Sequence, residues 1–328
     1  MTSLITTSLD KVLAGRRLDR DTALALAAWP EPEELWRSAD AIRIHFQGKR
    51  FHLCSIINAR SGNCTEDCRF CAQSARYRTN SPVYDLIDTD QALTIALDND
   101  RYGVHRLSLV TSGHSVDGPT LDRLQELYGS IRARTGMQSC ASMGFLTPEK
   151  ATLLREMGVS RYHCNLETSR DFFPRICTSH TWEDKIETLR HARAAGMSLC
   201  SGGIIGMGES MAERIDLALE LRELGVDSIP INILTPIPGT PLADLPLLSL
   251  TEVLTTIALF RFLNPEIVIR IAGGRQQLGG DQYRCFTAGA NGAIVGNYLT
   301  TAGASIDEDL AALARLGYHF RAGEPALS

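Results

Sequence analysis

The chain holds no apolar run of about twenty residues, no surplus of basic residues and no low-complexity tract. Without the first, no membrane-spanning helix is expected. With 33 lysines and arginines against 38 aspartates and glutamates, the net charge is −5. An extended nucleic-acid or membrane-surface footprint is therefore not expected, because both need a basic excess. The amino-terminal stretch MTSLITTSLDKVLAGRRLDRDTALALAAW lacks a basic region followed by a continuous apolar run, so it does not read as a secretion signal. The nine cysteines are odd in number and clustered like ligands, which fits reduced thiols better than a disulfide framework. Together these features predict a cytoplasmic protein that acts on small molecules. At 328 residues, 44% hydrophobic and 22% charged, the chain can bury a large core.

The first fifty residues read as a helical extension, with Asp21 placed as a helix N-cap ahead of an alanine- and leucine-rich run. From residue 51 to 300 the pattern changes. Eight short β-rich runs recur: RFHLCSII, VHRLSLVT, MQSCASMG, SRYHCNLE, MSLCSGGII, DSIPINIL, EIVIRIAG and GAIVG. Segments with helical spacing, such as WEDKIETLRHARAAG, lie between them. Eight strands alternating with helices predict an α/β fold, a (βα)8 TIM-type barrel with N-terminal helices; an open doubly wound sheet is the alternative. Residues 301–328 read as a C-terminal helical tail packing on the barrel.

One loop directly after the first strand carries Cys64, Cys68 and Cys71 in the sequence SGNCTEDCRFCAQS. A structural zinc site needs four closing ligands, so three thiols in one loop are incomplete as zinc chemistry. They suit a [4Fe-4S] cube that leaves one iron open to a substrate or cofactor. Further polar and thiol residues fall inside the predicted strands: Cys54, Ser108, Cys140, Cys200 and Arg270. Three cysteines on alternating strands suggest a second metal site, while a buried Arg270 could equally pair with a carboxylate. His163, Asn165 and Glu167 alternate along the fourth run and should share a face, with Cys164 pointing away. Cys164, Cys177 and Cys285 read as packed small hydrophobes.

The triplet, with Phe70 just before its last cysteine, resembles the signature of the radical S-adenosylmethionine enzymes, and SGGIIGMGE at residues 201–209 is similar to their glycine-rich cofactor motif. Within that superfamily, SGNCTEDCRFCAQSARY, NLETS, TSHTWEDKIETL, CSGGIIGMGE, SIPINILTPIPGTPL, IRIAGGR and AGANGAIVGNYLTT resemble the biotin synthase family in the same order. The resemblance implies sulfur insertion into dethiobiotin using two S-adenosylmethionine molecules and a sacrificial auxiliary iron–sulfur cluster. It further implies that Cys64, Cys68 and Cys71 hold the [4Fe-4S] cluster. Phe70, Asn165, Glu167, Lys185, Gly202 and Gly203 would lie at the cofactor, and Asn232, His163 and Asn165 at the substrate.

Several positions depart from the family pattern. Glu167 stands where aspartate is usual, Lys185 where an arginine is common, and His163 where asparagine is more frequent. The auxiliary cluster usually takes three cysteines and an arginine; Cys140, Cys200 and Arg270 match, but the strand-two cysteine is Ser108. Serine is a poor ligand for iron–sulfur iron. Cys54 on the neighbouring strand restores the count, so the expected ligands are Cys54, Cys140, Cys200 and Arg270, on a [2Fe-2S] cluster or a four-iron cluster with extra sulfide. The resemblance also implies a flavodoxin or ferredoxin electron donor and a homodimer. A radical enzyme that abstracts hydrogen without inserting sulfur, or a non-catalytic iron–sulfur carrier, are the alternatives.

Overall fold

The computed structural model describes residues 3–296 and 305–320. Three helices, α1 (Leu4–Leu13), α2 (Arg20–Ala27) and α3 (Pro32–Gln47), precede β1 (His52–Arg60). Then follow α4 (Thr89–Arg101), β2 (Arg106–Thr111), α5 (Gly118–Arg134), β3 (Gln138–Ser142), α6 (Pro148–Glu156) and β4 (Arg161–His163). The remainder is α7 (Trp182–Ala194), β5 (Ser198–Cys200), β6 (Gly203–Ile205), α8 (Met211–Leu224), β7 (Ser228–Ile233), α9 (Leu250–Leu263), β8 (Val268–Ile271), β9 (Gly292–Ile294) and α10 (Ile306–Arg315).

All strand pairings are parallel, in the order β5, β4, β3, β2, β1, β9, β8, β7, β6, and a pairing of Cys200 with Ser228 closes the ring. The barrel is therefore closed, and the open-sheet alternative fails. The fifth predicted run, read as one strand, is two segments that share one barrel position. A side chain explains the break: a Cβ on Gly202 would sit 1.9 Å from the Pro230 carbonyl oxygen, and one on Gly203 2.3 Å from that of Glu167. The chain squeezes between β7 and the segment after β4 at a separation only glycine permits.

Short polar residues start the helices on time. Thr181, Ser210 and Ser249 form capping boxes with Asp184, Glu213 and Glu252 at the first turns of α7, α8 and α9. The α2 cap, by contrast, is Asp19 rather than Asp21: the Asp19 carboxylate accepts the Thr22 N–H at 2.8 Å. The N-terminal helices pack against the barrel's outer ring, α3 along α9 and α2 against α8 and α9. That covering explains why α9 is buried continuously from Val253 to Leu263. The buried Arg275 guanidinium pairs with Asp309 and fastens α10 to the loop after β8. The expected boundary between barrel and tail, at residues 300 and 301, lies outside the described residues. No helix among the described residues is long and apolar enough to cross a membrane.

Candidate active site

The long connection between β1 and α4 leaves the carboxyl end of its strand, where barrel enzymes build their sites. Within it the Cys64 N–H donates to the Gln73 carbonyl at 3.1 Å, Ala75 N–H to the Cys64 carbonyl at 2.8 Å, and Cys71 N–H to the Cys68 carbonyl at 2.9 Å. These bonds fold the turn carrying Cys68 and Cys71 back onto Cys64. Cys64 is buried; Cys68, Phe70 and Cys71 are half-buried. Two carboxylates anchor the loop. Asp67 accepts the Thr178 and Ser179 N–H groups at 2.9 and 3.0 Å, and Glu66 accepts from His114 at 2.8 Å, His180 at 2.5 Å and the Ser179 hydroxyl at 2.5 Å. Burial pushes the Asp67 carboxyl up, but the bonds from Thr178, Ser179 and Cys177 outweigh it and hold it well below the usual range.

The triplet fits a cluster better than a single ion. Among the described residues, the three such ligand atoms that lie within 4.8 Å of one another belong to Cys68, Cys177 and His180. The triplet sulfurs are spread more widely, as a cube that gives each thiolate its own iron requires. Cys177, read from sequence as a packed thiol, is thus a correction: its Sγ lies 3.8 Å from that of Cys68 and 3.3 Å from His180 Nδ1. The hydrogen bond from Cys68 and the nearby His180 lower the Cys177 thiol against burial.

Beside the triplet stand the residues expected at the cofactor. Strand β4 ends at His163, so Asn165 and Glu167 lie in the following loop rather than on the strand, and Glu167 takes a left-handed backbone with φ 72°. Asn165 Oδ1 accepts the Gly202 N–H at 3.1 Å, and the Glu167 peptide pairs with Gly202 and Ile204. The buried Glu167 Oε2 has no hydrogen-bond partner from the protein. Burial raises its carboxyl, against the opposing charges of Lys185 and His163. Lys185 on α7 is buried with Nζ 5.7 Å from the centre of the Phe173 ring. Burial lowers its pKa, but the charges of Cys164, Glu167, Cys68 and Cys177 raise it overall, so it stays cationic. Half-buried Cys164 packs against the hydrophobic core and Cys285 is buried within it, both as expected. An unpaired carboxylate oxygen near a buried ammonium, next to the triplet, fits a zwitterionic ligand carrying hydroxyl groups.

Deeper in the barrel, Cys54 on β1, Cys140 on β3 and Cys200 on β5 are buried and free. Ser108 on β2 faces Cys140 in the strand register, and its hydroxyl is buried without a partner. Arg270 Nη1 lies 3.9 Å from Cys200 Sγ, and its Nε is also unpaired. The alternative of a carboxylate partner for Arg270 fails: the three thiols are the groups that raise its pKa against burial. His163 Nδ1 lies 3.4 Å from Cys200 Sγ, so its ring borders the sulfur-lined site.

Two further cations were legible but missed. Arg106 Nη1 is 3.7 Å from Cys140 Sγ, and Arg161 faces the same thiols. They lie two positions before Ser108 and His163, so strand alternation already put them on the inner face. Burial pushes Cys54 up to about 11, with Arg270 opposing. Burial also raises Cys200, but the charge and hydrogen bond of His163, then Arg270 and Arg161, outweigh it and bring it to about 6. Buried arginines around buried thiols, with orphaned polar atoms between them, suit an anionic iron–sulfur group. Asn232 on β7 is more fully engaged than expected: Oδ1 accepts Gly273 N–H at 2.9 Å and Nδ2 donates to the Gly203 carbonyl at 3.3 Å.

Residues 59–221 match the Radical SAM superfamily, and residues 230–319 match the Biotin and Thiamin Synthesis associated domain. A biotin synthase of Desulfotalea psychrophila is 51% identical over 315 residues, 96% of this chain and 90% of that protein. The chain belongs to the biotin synthase family. Another biotin synthase, of Acetivibrio thermocellus, is 48% identical over 309 residues, 94% of this chain and 97% of that protein. Among solved structures, methylornithine synthase superposes with a TM-score of 0.82 at 22% identity, covering 99% of this chain and 98% of that one. The hydrogenase maturase HydG of Carboxydothermus hydrogenoformans gives 0.80 at 18% identity, covering 96% and 78%. Those two share the fold alone, whereas the biotin synthase family shares sequence along nearly the whole chain. As in that family, the cofactors are a [4Fe-4S] cluster, S-adenosylmethionine and an auxiliary iron–sulfur cluster.

Proposed function

We infer that this chain is a biotin synthase, a sulfurtransferase that inserts sulfur between C6 and C9 of dethiobiotin with two S-adenosylmethionine molecules, the last step of biotin formation. The observation that carries the reading is the pairing of a cysteine triplet at the barrel mouth with a second, arginine-flanked thiol set on the barrel strands. A hydrogen-abstracting enzyme without sulfur insertion, or a carrier, leaves the inner set unused.

When bound, the [4Fe-4S] cluster and S-adenosylmethionine supply a hydrogen-abstracting radical, and the auxiliary cluster supplies sulfide. The chain's residues do the rest. Cys64, Cys68 and Cys71 hold the mouth cluster, with Phe70 beside it. Lys185 attracts the methionine carboxylate as a point charge, without the two-pronged grip of an arginine. Glu167 offers its unpaired oxygen to the ribose hydroxyls, and Asn165 sets the loop that carries it. Gly202 and Gly203 let the chain close on Pro230 and on Glu167, the residue that would meet the cofactor. Asn232 retains one N–H and one lone pair for the dethiobiotin ureido ring. Cys54, Cys140 and Cys200 ligate the auxiliary cluster, with Arg270 as ligand or close neighbour. His163, placed against Cys200, acts on that cluster. A flavodoxin or ferredoxin donor, a homodimer and a cytoplasmic location complete the reading by family analogy.

The test is anaerobic turnover of reconstituted protein with dithionite, S-adenosylmethionine and dethiobiotin, followed by mass spectrometry. The expected result is biotin with about two 5'-deoxyadenosines per turnover, one for each hydrogen abstracted. Deoxyadenosine without biotin would keep the radical chemistry and reject dethiobiotin as the substrate.

A further inference from the structure

Beside the cluster loop stands a second ligand set that shares Cys68 with the mouth cluster and adds Cys177 and His180, which the reaction does not use. Cys177 Sγ lies 3.8 Å from Cys68 Sγ and 3.6 Å from His180 Nε2, and the three residues' ligand atoms all fall within 4.8 Å of one another. On one tetrahedral ion with metal–sulfur bonds of about 2.3 Å, two thiolates stand about 3.8 Å apart, and a thiolate and an imidazole nitrogen about 3.6 Å apart. The sulfur–sulfur separation matches; Cys177 Sγ lies nearly equidistant from both ring nitrogens, so the imidazole turns for Nε2 to meet the same ion.

The surroundings point the same way. The His180 ring presents both nitrogens to Cys177, with Nδ1 at 3.3 Å, but Glu66 Oε2 lies 2.5 Å from that Nδ1. The carboxylate accepts the Nδ1–H hydrogen bond, which leaves Nε2 as the lone-pair nitrogen. A carboxylate behind an imidazole is the arrangement that fixes the tautomer of a metal-binding histidine. Glu66 is itself held by His114 and Ser179, and Asp67 accepts the Cys177 S–H at 3.2 Å and the backbone of Thr178 and Ser179. Cys177 and His180 are buried while Cys68 is half-buried, so an ion has an entry side.

We propose that in the cluster-free protein Cys68, Cys177 and His180 bind one divalent thiophilic ion, zinc or ferrous iron, with an open fourth position. Because Cys68 serves both, this ion and the [4Fe-4S] cluster exclude each other. The exclusion rests on Cys68 being a cluster ligand; the binding does not. Two S–H bonds give way to two metal–sulfur bonds, two protons pass to solvent, and no electrons are transferred. The mouth loop would thus hold a single ion before assembly, and the identity of that ion would decide whether assembly proceeds.

Cobalt titration of the full chain, stripped of clusters and kept reduced, tests the site. One Co2+ should bind with tetrahedral d–d bands and charge-transfer absorption from two thiolates. Cys177→Ala and His180→Gln should each remove tight binding, and Glu66→Gln should weaken it by about 10- to 100-fold. Cys64→Ala and Cys71→Ala should leave it unchanged. If those two weaken binding as much as Cys177→Ala, the ion is held by the triplet and the proposal fails. Zinc-loaded protein should refuse reconstitution of the mouth cluster, read by its visible absorption, while Cys177→Ala accepts it in the presence of zinc. Cluster assembly with the two-thiolate cobalt bands retained would refute the exclusion.

Discussion

Cys54→Ala, made in protein that also lacks the triplet cysteines, should lose essentially all its iron, whereas Ser108→Ala in the same background should keep it. The background leaves the auxiliary cluster as the remaining iron site, so iron and sulfide per chain report on it alone. Cys54 is 5% exposed, and burial pushes its thiol up to about 11. Ser108 occupies the facing strand with an unpaired hydroxyl, a hard and weak donor toward iron–sulfur iron. About four irons with sulfide in excess of iron are expected before the Cys54 change and near none after it. With the triplet intact, Cys54→Ala should still cleave S-adenosylmethionine while forming no biotin. Two irons per chain in the parent would instead indicate a [2Fe-2S] cluster, and full iron in Cys54→Ala would remove Cys54 from the ligand set.

The second large effect is at Lys185. Its ammonium is buried, with nearby thiols and Glu167 keeping it charged. Removing one partner of a buried, hydrogen-bonded charge pair costs about 2–5 kcal/mol, roughly 30- to several-thousand-fold in affinity. Lys185→Met should therefore weaken S-adenosylmethionine binding by about that factor, measured by equilibrium dialysis at unchanged iron content. Lys185→Arg should restore most of it, because charge is kept and a two-pronged contact becomes available. Unchanged affinity in Lys185→Met would assign the lysine to Glu167 and Cys164 alone.

Much of this was legible before the structure. The barrel follows from eight β-rich runs alternating with helical segments, and the inner thiols follow from strand alternation, which also marks Arg106 and Arg161. What stayed hidden depends on contacts between distant segments. MSLCSGGII reads as one strand because nothing local reveals Pro230 and Glu167 closing on Gly202 and Gly203. The alternation of His163, Asn165 and Glu167 reads as continued strand, yet the chain turns after His163 and Glu167 adopts a positive φ. Cys177 and His180 meet Cys68 across more than a hundred residues of chain, so no spacing rule could join them. Cys177 had every local mark of a packed thiol.

The central claim is that the sulfur delivered to dethiobiotin comes from the cluster held by Cys54, Cys140 and Cys200. The direct measurement is a single anaerobic turnover of protein reconstituted with heavy-isotope sulfide and then freed of loose sulfide, with the product weighed by mass spectrometry. Biotin should carry the heavy sulfur, with no labelled biotin from Cys54→Ala. Biotin of natural isotopic mass from the labelled protein would contradict it, because the sulfur would then have entered from outside the cluster.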